Sequence, residues 1–480
     1  MKHASSTDLE RDRFFNAYPY LIIGFSLTVF CVPAFFILPS GDDWSTSQPI
    51  YVFTLDLLRP HTFWRPFEEL LLVVVGWNAA WHPGLLHLAA ILGHAASTLL
   101  IFWIAKIVTG SSKKSVVAAV LFAVFPSNAA AVWSVDSAIQ TFSTSFGLLA
   151  LYILVSYRSL SSVLLAGACC LVAALWKESG IAWLVAAPAF AAVVKDLKFA
   201  NSSFPVYRNL LFQLVVALLL LAIYFFLRGV LALDHAFGPG SGRYALQMNP
   251  WLWLESSIML LGIAITATDT IALFKDENYI VAALSFLITI PLLIWLLLTA
   301  RGSSKKHLAL IALALAALLS PHVVIGQVSE MYAHPVTAGA IVSTLLIINT
   351  KPVDNKLVPV IVSLTIVLAS FVSAHKWFEM HETGLRAAAV ANRIEAHYEV
   401  GGFPGVVCTI QDKTNSGRPY SVLYMDAPIA SGYGRSVLPR SGWELPYQIT
   451  RAQDVVSCPK NAEDIWYITL DGDVLFLGDQ

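Results

Sequence analysis

The chain has 480 residues, 57% of them hydrophobic and only 13% charged, with a formal net charge of −1 at pH 7 and a mean hydropathy of +0.68. So apolar a composition excludes a soluble globule, and so balanced a charge leaves no electrostatic footprint for nucleic acid. The class this implies is a polytopic membrane protein.

Taken in order, the first fifteen residues are charged and lack an apolar core and a small-residue cleavage site, so they are not expected to be a cleaved signal peptide. The apolar run 18–38 is then a permanent span. Further windows lie near 85–108, 115–132, 139–157, 162–176, 180–194, 209–232, 279–299, 308–326, 336–350 and 357–375, which makes about eleven crossings. Arg11 and Arg13, Lys113 and Lys114, Arg158, Lys195 with Lys198 and Arg208, Lys305 and Lys306, and Lys351 with Lys356 fall in alternate connections. Basic connections mark the cytoplasmic side, so loop 39–84 and the C-terminus are expected outside. Counting Trp251–Phe274 as a crossing would invert everything after it. With Pro250 ahead of it and Glu255 and Asp269 within it, that segment reads as re-entrant or interfacial.

From Lys376 onward charges, Gly, Pro and Asn become common and no window is long enough to cross a membrane. The expected architecture is therefore an all-α membrane domain, 1–375, followed by a small extracytoplasmic α+β domain, 376–480. A helix is expected over Lys376–Tyr398 with Phe378, Leu385, Ala389 and Ile394 on one face, and strands over 405–411, 421–425 and 466–476. Of the five cysteines, Cys31, Cys169 and Cys170 lie in apolar runs. Cys408 and Cys458 fall in the polar tail, where an oxidising compartment permits a bridge that their spacing alone does not establish.

The chemistry-bearing residues gather on the outer side. Asp42 and Asp43 follow directly on the first span, where two adjacent carboxylates raise the pKa of at least one of them. The same loop holds His61, Arg65, Asn78 and His82. His87 and His94, seven residues apart, share a helix face, which fits packing with a hydrogen bond to a backbone carbonyl better than metal ligation. Lys177 and Glu178 emerge at the same side, and as sequence neighbours they are expected to serve different partners. Glu330, Met331, Tyr332 and His334 occupy another outer turn.

Arg65-Pro66-Phe67, Asn78-Ala79-Ala80-Trp81-His82-Pro83, Leu86-His87-Leu88, Gly93-His94-Ala95, Leu121-Phe122-Ala123-Val124-Phe125-Pro126 and Lys177-Glu178-Ser179-Gly180 together resemble a known pattern. It is the membrane part of the transmembrane and tetratricopeptide repeat O-mannosyltransferases and their bacterial relatives. Asp42-Asp43 is similar to their acidic pair, and Glu330-Met331-Tyr332 to their late Glu-Arg-x-Leu-Tyr turn. The resemblance covers roughly residues 20–350. It implies a glycosyltransferase-C fold, and an enzyme that takes a sugar from a polyprenyl phosphate and attaches it outside the cytoplasm, as in a bacterial inner membrane. The chain departs from the family in three respects: Phe125-Pro126 replaces a His-Pro, Ala130 replaces a Glu, and the repeats are missing.

On that reading Asp42 or Asp43 takes the proton of an acceptor hydroxyl as it attacks the anomeric carbon. Arg65 and Lys177, with Arg243 and Arg228 as less secure alternatives, stabilise the leaving phosphate. His61, His82, His87, Glu178, Glu330, Tyr332 and His334 are substrate-binding candidates, with a structural hydrogen bond an open alternative for Glu330, Tyr332 and His334. No cofactor is required; a divalent ion at Asp42 and Asp43 is compatible with the residues and not demanded by them. The partners are the polyprenyl-phosphate sugar, a lipid, glycan or protein hydroxyl acceptor, and membrane lipid. A transporter or lipid flippase and a non-catalytic membrane scaffold are the alternatives. The first would call for mid-membrane charges and internal symmetry.

Overall fold

The computed structural model describes residues 17–38, 65–75, 83–134, 137–157, 159–199, 206–232, 247–270, 272, 278–326, 328–349, 357–398, 405–411, 448–452, 454–469 and 473–477. The chain is an all-α polytopic membrane protein carrying a small sheet at its C-terminal end. Its helices are α1 (Pro19–Cys31, continued by a 3₁₀ turn, Val32–Phe36), α2 (Pro66–Val75), α3 (Pro83–Thr109), α4 (Ser112–Val124), α5 (Ala129–Trp133), α6 (Ala138–Ser156) and α7 (Leu160–Trp176). Then follow α8 (Trp183–Phe199), α9 (Val206–Ala232), α10 (Pro250–Ile265), α11 (Tyr279–Ala300), α12 (Lys305–Val323), α13 (Glu330–Asn349) and α14 (Leu357–Tyr398).

Seven segments among the described residues are long and apolar enough to cross a membrane, and α4 with the following Pro126–Trp133, bent by 49°, makes an eighth. α7, α9 and the first part of α14, whose Val360, Leu364, Val367 and Phe371 are exposed apolar side chains, run in the remaining places of the expected eleven. Local chemistry sets the breaks. Ser111 caps α4 by accepting from the Lys114 amide. The helix stops where Phe125 turns extended ahead of Pro126, because a residue preceding proline is disfavoured in the helical region. Asn249 caps α10 just before Pro250.

Hydrogen bonds define two ends of the bundle. At the basic end Asn349 Nδ2 donates to the Val108 carbonyl (3.0 Å) and Lys306 meets Asp196 (2.9 Å). Lys106, Lys113, Lys114, Lys305 and Lys306 are exposed there. At the opposite, polar end Trp133 Nε1 donates to the Phe30 carbonyl (2.9 Å) and Trp377 Nε1 to the Pro33 carbonyl (2.9 Å).

α10, at 16 residues, is shorter than the segments long enough to cross a membrane. The chain before it is tied to the C-cap of α12 by the Gln247 amide, which donates to the Val324 carbonyl (2.8 Å). The chain after it is tied to Glu330, the first residue of α13, through Thr270. Val324 and Glu330 bound the same short turn, so the chain on either side of α10 is held to one turn at the polar end. Gly326 in that turn has φ +64°, and a Cβ there would lie 3.1 Å from Gln247.

α14 has 42 residues, about 63 Å at 1.5 Å per residue, roughly twice the hydrocarbon thickness of a bilayer. It runs unbroken through residue 376, where the domain boundary was expected. Its buried positions beyond the membrane are Lys376, Met380, Thr383, Ala387, Val390 and Ile394, while Phe378 and Leu385 are exposed. The expected apolar face is therefore corrected: contacts of Lys376 set the rotation of the helix, and Phe378 and Leu385 are carried outward.

The sheet has the order β2-β1-β3-β4, with β1 (Val406–Gln411) parallel to β2 (Gln448–Ala452) and β3 (Asp464–Ile468), and β4 (Val474–Phe476) antiparallel to β3. Cys408 in β1 is disulfide-bonded to Cys458. The strand expected over 421–425 lies outside the described residues.

Candidate functional site

Two polar clusters sit side by side at the polar end, joined through residues 330–332. The first begins with the turn between α7 and α8. α7 ends because Lys177 adopts an extended conformation (φ −152°, ψ 137°), and a 3₁₀ turn, Glu178–Ala182, follows. The turn folds back on α7 so closely that a Cβ at Gly180 would lie 2.3 Å from the Ala173 carbonyl oxygen and 2.6 Å from Ser143 Oγ. Only glycine fits there. The extended residue sends Lys177 and Glu178 to different partners, as their adjacency in sequence predicts.

Glu178 faces α2, where Arg65 Nε donates to both of its carboxylate oxygens (3.1 and 3.2 Å) and Arg65 Nη1 reaches Glu68 (3.4 Å). Burial pushes the Glu68 carboxyl above its usual range; Arg65 and Lys177 oppose the shift and Glu178 adds to it. Lys177, 6% exposed, places its ammonium 5.1 Å from the centroid of the Tyr332 ring and 3.9 Å from Met331 Sδ. His322 from the last turn of α12 is stacked on Tyr332 at 4.1 Å with an interplanar angle of 13°.

The second cluster is closed. Lys376, 1% exposed, donates to Glu330 and to the Pro126 carbonyl (3.2 Å), and Glu330 also accepts from Thr270. One residue earlier, His375 Nδ1 meets Asp269 Oδ2 at 2.7 Å. The Phe125-Pro126 step, where the resembled family carries a His, is thus met by a lysine from α14.

Among the other expected site residues, His87 is buried and its Nε2 meets the Ile37 carbonyl (3.1 Å). His94 Nε2 meets the Ala123 carbonyl (3.1 Å), and its Nδ1 lies 3.1 Å from His334 Nε2. His334 Nδ1 in turn meets Thr144 Oγ1 (2.9 Å). With His94 donating to the carbonyl, its Nδ1 is an acceptor and His334 donates to it from Nε2; Thr144 Oγ1, beside His334 Nδ1, also lies 2.9 Å from the Gln140 carbonyl. His87, His334 and Glu330 thus each make a hydrogen bond to another segment of the bundle. The Arg65 guanidinium, expected at a phosphate, meets Glu178 and Glu68.

Asp42, Asp43, His61, His82 and Arg243 lie outside the described residues, as does the side chain of Arg228. Among the described residues no group of three or more His, Cys, Asp or Glu could hold a metal ion. Sequence reasoning missed Glu68, His322 and Lys376. Glu68 stood three residues after Arg65 in the first turn of a helix, a readable signal; the other two stood at the edges of apolar runs.

No protein-family description and no curated protein matches the chain. Among solved structures it is similar to ArnT from Cupriavidus metallidurans bound to undecaprenyl phosphate, at 12% identity over 94% of this chain and 92% of that one, TM-score 0.48. The apo state of that protein gives 13% identity over 82% of each chain, TM-score 0.49. The archaeal oligosaccharyltransferase AglB from Archaeoglobus fulgidus, in complex with an inhibitory peptide and a dolichol-phosphate, gives 13% identity over 82% of this chain and 62% of that one, TM-score 0.42. These are resemblances of outline.

Proposed function

We propose that this protein is an integral-membrane glycosyltransferase of the glycosyltransferase-C type, which moves a monosaccharide from a polyprenyl-phosphate donor to an acceptor hydroxyl at the outer membrane face. The observation that carries the reading is the first cluster. Two cations, Arg65 and Lys177, and two carboxylates, Glu68 and Glu178, converge from distant parts of the chain on the end of the bundle opposite the exposed lysines.

In this reading the donor's apolar chain lies against the lipid-facing helices and its phosphate sits at Lys177. Arg65 is a positioning residue that holds Glu178 so that the lysine remains directed to Tyr332. The acceptor oxygen attacks the anomeric carbon, Asp42 or Asp43 takes its proton, and the bond from that carbon to the phosphate oxygen breaks with its electron pair leaving on the phosphate. A phosphate monoester is a weak base, so it needs electrostatic stabilisation more than a proton, and the buried Lys177 ammonium supplies it. Direct displacement inverts the anomeric configuration. A divalent ion bridging the Asp pair and the phosphate would add Lewis-acid stabilisation. The tail, tethered by α14 at the same end, is assigned to acceptor recognition.

The test is release of sugar from radiolabelled polyprenyl phosphate sugars by purified protein in lipid, comparing wild type with Asp42→Asn and Asp43→Asn. Turnover abolished by one substitution while donor still binds supports the reading and names the base. Turnover unaffected by both removes the Asp pair from it.

A further inference from the structure

His322 carries a buried polar atom that nothing among the described residues satisfies. The residue is 3% exposed, and its Nε2 has no hydrogen-bond partner among the described residues. Leaving such an atom dry is costly, and native proteins seldom do so without a reason. Its ring is fixed by the face-to-face stack on Tyr332, the same ring that lies beside the Lys177 ammonium. It is also within electrostatic reach of both Lys177 and Glu178. A second such atom belongs to the same turn: Ser179 Oγ is buried and likewise unpartnered among the described residues. The end of α12 packs directly on that turn. Two orphaned hydrogen-bonding atoms thus belong to neighbours of Lys177, one through the shared Tyr332 ring and one two residues along the same turn.

An arrangement of one cation and two hydrogen-bond donors suits a tetrahedral oxyanion, which offers several acceptor oxygens to donors converging from different directions. We infer that His322 is a ligand-binding residue, its Nε2–H donating to an oxygen of the phosphoryl group held at Lys177, with Ser179 Oγ as a second donor. The inference rests on the lipid-phosphate reading above and deepens it by assigning a residue that the sequence pattern did not single out. Tyr332 then has a positioning role: its ring sets the plane of His322 and the place of the Lys177 ammonium together.

The stack supplies a discriminating variant. His322→Phe keeps a flat ring against Tyr332 and removes only the nitrogens, whereas His322→Gln keeps a donor at about the reach of Nε2. Wild type, His322→Phe, His322→Gln and Lys177→Met are compared in nanodiscs, by thermal unfolding without ligand and by titration with undecaprenyl phosphate and, separately, with inorganic phosphate. The expected result is unfolding of the ligand-free His322→Phe protein at or above the wild-type temperature, since an orphaned polar atom has been removed. Its affinity for undecaprenyl phosphate falls about tenfold or more, the value of a hydrogen bond to a charged group. His322→Gln recovers most of that loss. Undecaprenyl phosphate binds the wild type far more tightly than inorganic phosphate does.

A His322→Phe protein that binds undecaprenyl phosphate as wild type does would overturn the inference while leaving the lipid-phosphate reading standing. So would a His322→Phe protein that is destabilised without ligand and equally tight with it, the mark of a structural histidine. A wild type that binds inorganic phosphate but not the lipid phosphate would overturn the reading itself, and the lipid assignment with it.

Discussion

The two clusters at the polar end are built from the same materials and do opposite things with them. Around Glu330 and Lys376 every charge has its partner: the ammonium meets a carboxylate and a carbonyl, and the carboxylate also accepts from Thr270. Around Lys177 the carboxylates are gathered by Arg65, while two polar atoms of neighbouring residues are buried with no partner among the described residues. The closed cluster fastens α14 to α13 and to the Phe125-Pro126 break. The open one has hydrogen-bonding capacity left for a ligand. A polar group inside a membrane protein is therefore best judged by what remains unsatisfied around it, rather than by its charge.

Breaking the closed cluster on one side is expected to have the largest effect on stability. Lys376→Met or Glu330→Gln should each lower stability by about 3–5 kcal/mol, because the remaining partner is stranded in a buried site. The double variant Lys376→Met with Glu330→Leu should recover most of that loss. Thermal unfolding in one lipid environment checks both, and a single variant as stable as wild type would show that the pair is not the fastening it is taken to be.

Breaking the open cluster should spare the fold and remove the chemistry. Lys177→Met should cut sugar transfer about 100-fold or more, the usual consequence of deleting one stabilising donor at a developing anion. Its unfolding temperature should change little, since methionine matches the apolar stem that the burial already accommodates. Equal losses of stability and of turnover would make Lys177 structural.

The smallest expected effect is the pH dependence contributed by Glu68. Burial raises this carboxyl above its ordinary value of 4.5. The stability it contributes is full below that value and is lost as pH rises through the elevated one. Its charge appears over the same interval, beside Arg65, Lys177, Glu178 and Glu69, and repels an anionic ligand. Affinity of the wild type for undecaprenyl phosphate, relative to Glu68→Gln at each pH, should therefore rise as pH falls through that interval. The ratio cancels the ligand's own ionisation. A flat ratio would mean that Glu68 does not titrate in the site.

The unequal legibility of the two clusters follows from how each is encoded. The apolar helices could be read because hydropathy is a property of the chain itself. The separation of Lys177 from Glu178 was readable for a similar reason, since sequence neighbours leave the backbone in different directions. The Arg65–Glu178 pair spans 113 residues, and no local pattern announces it. The guanidinium fork of Arg65 suits a phosphate as well as a carboxylate, so the sequence alone did not point to its contact with Glu178. The face of α14 failed for a related reason: Phe378 and Leu385 have the spacing of a buried stripe, but Lys376 reaches inward and turns them out. His322 looked like one polar residue at the end of an apolar helix, and its importance lies in an absence that only the packed structure reveals. The Asp42-Asp43 pair, the most conspicuous stretch of the sequence, lies outside the described residues.

The most direct test of the account is turnover of radiolabelled polyprenyl phosphate sugars by the purified full-length protein in lipid, wild type against Lys177→Met, with thermal unfolding recorded on the same samples. The account predicts sugar release by the wild type, loss of about two orders of magnitude in Lys177→Met, and closely matched unfolding temperatures. A folded wild type that releases sugar from none of the donors would contradict it.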